Sequence, residues 1–199
     1  MANRNSAGFG FRQSGTLGNT PANQGLSQYW IDSAATVDLF NGMAMKSTGG
    51  YMITGESATT VTTIGVLYGI YYNAASTNKP TWAHWYDATI TPANSEDTQA
   101  FVNDYPFQKY TIASDTAVAA DVPAAHVKFM ETFSVNANTG GSTSTGRSTT
   151  SLEIGQTHAT THSWRLLRSA EETENSDLTA AYCSLEVVSN LSEFVGSGT

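Results

Sequence analysis

From Tyr29 onward, apolar and polar residues alternate with a period of two in one short run after another, the pattern of half-buried strands. In Val127 to Val135, residues Val127, Phe129, Phe133 and Val135 alternate with Lys128, Met130, Thr132 and Ser134, and Glu131 interrupts the apolar face. Ala181, Cys183, Leu185 and Val187 alternate in the same way with Tyr182, Ser184 and Glu186, which predicts a second strand near the C-terminus. Across Ile64 to Tyr72 one face carries Ile64, Val66, Tyr68, Ile70 and Tyr72, while Gly65 and Gly69 flank Leu67 on the other, a spacing suited to a strongly coiled strand. Trp82 to Tyr86, Phe107 to Ile112, Ser151 to Ile154 and Trp164 to Leu167 read as further strands. Asn41-Gly42 predicts a hairpin between Leu39-Phe40 and Met43-Ala44-Met45, and Gly49-Gly50 separates Met43 to Thr48 from Tyr51 to Thr54. Helix is confined to a turn or two over Thr116 to Val122, and Asn136 to Thr150 reads as an exposed polar loop. The pattern as a whole predicts an all-β fold, a compact antiparallel barrel or sandwich.

The first 28 residues lack this alternation. Asn, Gly, Ser, Gln and Thr dominate, Phe9, Phe11 and Leu17 are isolated, and no acidic residue precedes Asp32. Such a segment cannot bury enough apolar surface to build a core by itself. It is expected to be an extended arm over residues 1–28, attached to a β-body over residues 29–199. Its charged side chains are Arg4 and Arg12, so a mildly basic arm leaves an acidic body.

Composition narrows the function classes. Only 13% of the 199 residues are charged, about half the usual share, so Thr and Ser must carry much of the surface polarity. The net charge of -8 and the lack of clustered Lys and Arg argue against a general nucleic-acid binder. One cysteine, Cys183, excludes an internal disulfide and a cysteine-based metal centre and is expected to fill core space. No apolar run approaches membrane-spanning length and the N-terminus has no apolar signal region, so neither a membrane partner nor secretion is expected.

Candidate chemistry is sparse. His158 and His162 stand four apart, but on a strand they would lie about 13 Å from each other, and the threonines around them oppose a helix, so exposed loop histidines are the preferred reading. Trp82, His84, Trp85 and Tyr86 offer either a sugar-stacking platform or, preferably, a core edge or oligomer contact. Glu171, Glu172, Glu174 and Asp177 lack the spacing of a calcium loop and read as a solvated connector. There is no Gly-x-Ser-x-Gly element and no phosphate loop leading into a helix. No enzymatic activity and no cofactor is expected.

Several segments, in order, resemble the capsid decoration or cement proteins of tailed bacteriophages. The arm opens Met1-Ala2-Asn3 and continues with Gly8-Phe9-Gly10-Phe11-Arg12; Gly25, Tyr29, Trp30 and Ile31 lead into the first strand. Leu39-Phe40-Asn41-Gly42, Gly65-Val66-Leu67-Tyr68-Gly69, Thr145-Gly146-Arg147-Ser148, Trp164-Arg165-Leu166-Leu167 and Leu185 to Asn190 follow. The arm departs from the family pattern in lacking the two prolines that commonly flank its Phe-Gly-Leu-Arg core.

The resemblance implies a structural virion protein on the outer surface of the mature head. It would be made in the host cytoplasm and commonly trimeric, and it would clamp neighbouring major capsid subunits against the pressure of packaged DNA. On that reading Arg4 and Arg12 would meet acidic loops of the major capsid protein, with Phe9, Phe11, Leu17, Tyr29 and Trp30 as anchors. A tail or neck component of the same virion, and a carbohydrate-binding module built on Trp82, Trp85 and Tyr86, are the alternatives.

Overall fold

The computed structural model describes residues 2–18, 25–54, 62–136 and 140–195. Among them the chain forms fifteen strands and one α-helix. The first eight strands are β1 (Arg12–Thr16), β2 (Ser27–Ile31), β3 (Ala44–Thr48), β4 (Tyr51–Thr54), β5 (Gly65–Ala74), β6 (Lys79–Ala83), β7 (Thr98–Asn103) and β8 (Gln108–Ala113). Helix α1 (Val122–Val127) precedes the two-residue strands β9 (Thr132–Phe133), β10 (Val135–Asn136), β11 (Gly141–Ser142), β12 (Arg147–Ser148) and β13 (Ser151–Leu152). Two longer strands, β14 (Trp164–Ser169) and β15 (Ser184–Ser189), close the fold.

The strands assemble into two main antiparallel sheets that give a β-sandwich-like body. One sheet runs β1-β8-β15-β14-β9 and the other β2-β7-β5-β3-β4. In the second sheet, β5 pairs with β3 through Gly65 and Val66 and with β6 through its last five residues. Each sheet buries one face. Ile31, Met43, Met45, Leu67, Ile70 and Val102 fill one cluster; Ile112, Phe133, Trp164, Leu166, Leu185 and Val187 fill the other. Ala44 and Val66, paired between β3 and β5, pack into the second cluster and join the two layers.

Several sequence expectations hold at the level of the element. Gly49 and Gly50 both adopt positive φ, +60° and +91°, and turn β3 into β4, as a two-residue hairpin with the right twist requires. Cys183, just before β15, and Leu185 and Val187 on it are fully buried as the alternation predicts, and Cys183 sits against the Ser114 hydroxyl at 3.3 Å.

Other expectations are corrected. The strand predicted over Val127 to Val135 does not form. Asp121 Oδ1 instead accepts the Ala124 N–H at 2.8 Å, and Pro123 lies in the first turn, a pairing that starts a helix. Ala125 enters the core while Val127 is 75% exposed. The chain then reverses at Met130, φ +71°, and divides its apolar residues between β9, on β14, and β10, on β13. The helical turn expected over Thr116 to Val122 is thereby displaced toward the C-terminus.

In β5 the expected face is broken. Leu67 faces Val102 and Gly69 faces Phe101, so Tyr68 is the extra residue of a bulge and is 45% exposed. A bulge shifts the alternation by one, which is why Leu67 and Ile70, three apart, enter the same cluster, while Val66 is buried on the opposite face in the other. Asn41-Gly42 does turn the chain, with Met43 N–H donating to Phe40 at 3.1 Å. It does not close a hairpin, because Leu39 pairs with Tyr86 and Asn41 with Arg147.

The N-terminal segment differs most. Residues 2–18 lie on the body, and β1 pairs with β8 at the edge of the five-stranded sheet. A free arm over residues 1–28 is therefore replaced, over the described part, by an edge strand and an anchoring run. Met1 and residues 19–24 of the expected arm, and residues 137–139 of the expected loop, lie outside the described residues.

Candidate interaction surface

The anchoring run is held by its own polar side chains. Asn3 Nδ2 donates to the carbonyls of Asp177, Ala180 and Ala181 at 2.9–3.2 Å, and its Oδ1 accepts the Asp177 N–H at 3.0 Å. The Arg4 guanidinium meets Glu174 at 2.5 Å. The acidic run read as a solvated connector thus receives the chain start. There, hydrogen bonds from Thr179 hold the Asp177 carboxyl down at about 2.

Next, the backbone threads between two loops. Gly10 N–H donates to Thr150 O at 3.0 Å and Phe11 N–H to Gly42 O at 2.9 Å. Gly10 has φ +72°, and a Cβ on it would lie 2.9 Å from both Gly42 O and Ser148 Cβ, so no other residue fits without displacing main chain. This delivers Phe11 into the core, where its ring lies 4.1 Å from Trp164 and 5.7 Å from Tyr110. Phe11 is 4% exposed. It is a core residue rather than the surface anchor the sequence suggested, because its environment is built by strands far away in the chain.

The same place gathers most of the segments that carry the family resemblance. Asn41 N–H donates to Gly146 O and Ser148 N–H to Asn41 O, both at 2.9 Å. Asn41 Nδ2 donates to Tyr68 O, and Gly42 N–H to Leu67 O at 2.8 Å. Gly8 to Arg12, Leu39 to Gly42, Gly65 to Gly69, Thr145 to Ser148 and Trp164 therefore form one junction.

A groove of about 240 Å³ opens over it, with Phe11 in its floor and Arg12, Tyr68 and Arg147 on its rim. A shoulder of about 260 Å³ continues past Tyr68 and Arg147 to His84. Arg12 lies over the Phe9 ring at 3.9 Å. Desolvation, and then the nearby Arg147 guanidinium, lower the Arg12 pKa. Among the described residues neither arginine makes a salt bridge. Two like charges are thus held together on a chain of net charge -8, with the Glu172 carboxylate near enough to raise the Arg12 pKa in part but in salt-bridge contact with neither. Arg147 and Tyr68 escaped the sequence reading as site residues; the one signal for Arg147 was a lone cation in an otherwise uncharged Gly/Ser/Thr loop.

The remaining candidates are scattered. Tyr29 is half-buried, its hydroxyl donating to Asp104 at 2.7 Å; burial, then that bond, raises its pKa. Trp30 and Leu17 are exposed, 45% and 36%. The sugar platform, the lesser of the two readings of this group, is not assembled. Tyr86 is 1% exposed, Trp85 stacks on Phe40 at 5.1 Å and 9°, and Trp82 leans on Phe101 at 5.0 Å. His84 stays exposed, beside the shoulder.

His162, expected in an exposed loop, is buried, and its Nδ1 lies 3.0 Å from Thr132 O; His158 is exposed. Among the described residues no group of three or more His, Cys, Asp or Glu could hold a metal ion. Compared with protein-family models, with curated proteins and with solved structures, the chain matches none.

Proposed function

We propose that this protein is a non-enzymatic structural component of a tailed-phage head that binds the outer surface of the shell and clamps neighbouring major capsid subunits. The observation that carries this reading is the junction. Segments that resemble those of decoration proteins, far apart in sequence, meet around Phe11 and Gly42 and present Arg12 and Arg147, neither in a salt bridge among the described residues. Carboxylates of a shell subunit would relieve the repulsion between the two guanidiniums and pair with them bidentately. Arg4, already paired with Glu174, is released from the role first given to it.

A homotrimer would present three such grooves at once. Several weak contacts then add to tight binding when their spacing matches the lattice.

Heads stripped of this chain and rebound by sedimentation test the reading. The double variant Arg12→Glu/Arg147→Glu is expected to keep its melting temperature, since both side chains are exposed, and to lose about tenfold or more in affinity. Undiminished saturation of the heads by the double variant would contradict the assignment.

A further inference from the structure

A cleft lies away from the arginine groove, on the six-stranded sheet and the turns at one end of it. It encloses about 520 Å³, within the range of small-molecule sites. Four aromatic residues, Trp30, Tyr51, Tyr71 and Tyr72, line it, the Tyr72 side chain packing against the core beneath. Gln99 on β7 pairs with Trp30 on β2 and with Tyr71 on β5. Directly opposed residues of neighbouring strands share a face, so Trp30, Gln99 and Tyr71 form a row with the amide between two rings.

The polar groups of the cleft divide into those that build it and those left for a ligand. Asp97 builds it: its carboxylate accepts the Tyr51 hydroxyl at 3.1 Å and the Ser33 N–H at 3.0 Å, which fixes the Tyr51 wall. Gln99 and Asn73 are half-buried, and among the described residues their side-chain amides make no hydrogen bond, nor does the exposed Glu96 carboxylate. Aromatic faces beside unpartnered amides suit a ligand that is apolar on its ring faces and hydroxylated at its edge. A purely apolar ligand would leave the amides unpaired in a desolvated site, at a cost. An anionic one would meet Glu96, Asp97 and a net charge of -8.

We infer that this cleft binds a neutral saccharide, its C–H faces on Trp30 and Tyr71 and its hydroxyls on Gln99, Asn73 and Glu96. The site adjoins Trp82, which pairs with Tyr71 across β6 and β5, but uses neither Trp85 nor Tyr86 of the alternative platform, and it stands independently of the shell assignment, because the isolated full-length chain carries it.

Titration of the full chain with maltotriose, cellotriose, chitotriose and mannotriose, followed by calorimetry and tryptophan fluorescence, tests it. A parallel arm uses neutral polysaccharide purified from the surface of the host cell. Saturable binding of a trisaccharide, with a shift in tryptophan emission, is expected if the ligand is a free sugar. Binding confined to the polysaccharide supports the same site with a cell-surface ligand. Trp30→Ala and Gln99→Ala should each weaken binding about tenfold or more, and Gln99→Ala supplies the test should Trp30→Ala fail to fold. Silence across both arms, binding unchanged in Gln99→Ala, or equal affinity for a uronate-terminated analogue would overturn the inference.

Discussion

Phe11 shows how a single side chain can decide the character of a whole segment. Set among Gly, Ser, Asn and Arg with Phe9 as its one large apolar neighbour, it belongs to no sustained alternation that would mark it as core; its partners Tyr110 and Trp164 lie about 100 and 150 residues away. The pattern of alternation is local and cannot see such a contact. Phe11→Ala should therefore cost about 3–5 kcal/mol and lower the melting temperature by on the order of ten degrees, as measured by calorimetry; a change within a degree or two would remove Phe11 from the core.

Glu186 presents the opposite case, a charge on the strand face that alternation assigns to solvent. It is 8% exposed, with Arg168 at 2.8 Å and Lys109 at 3.4 Å. Burial pushes its carboxyl up, but the Arg168 hydrogen bond and the two cations outweigh burial, and its pKa lies below the ordinary 4.5. The folded state thus binds this proton less readily than the unfolded chain, so the pair's contribution is complete above about pH 4.5 and falls away as the pH drops through the folded value. Denaturant titrations between pH 6 and pH 3 should show this acid loss in the wild type and a shallower one in Glu186→Gln.

At the scale of the element, the strands expected over Phe107 to Ile112, Trp164 to Leu167 and Ala181 to Val187 were legible as β8, β14 and β15, and Gly49-Gly50 marks its hairpin. Legibility failed where one residue outweighs the pattern. Tyr68 enters β5 as a bulge, and Asp121 with Pro123 starts a helix before the apolar run of Val127 to Val135 can become a strand. The candidate site was half legible. Arg12 was readable as a charged contact, whereas its pairing with Arg147 depends on a loop crossing that no local pattern encodes.

The N-terminal run has the largest consequence at this scale. It supplies an edge strand, the Asn3 contacts and a core aromatic, so deleting residues 1–18 removes part of the body. Loss of cooperative thermal unfolding, or a melting temperature lowered by ten degrees or more, is expected by circular dichroism. A truncated protein as stable as the full chain would restore the free-arm picture.

The whole molecule is an all-β body of low charge that carries a groove rimmed by Arg12 and Arg147 and an aromatic cleft elsewhere on its surface. The central claim, a shell-wide position on a phage head, is tested most directly by quantitative mass spectrometry of purified source particles, counting this chain against the major capsid protein. Copy numbers of the same order as the major capsid protein are the predicted result; a few copies per particle, or none, would contradict it.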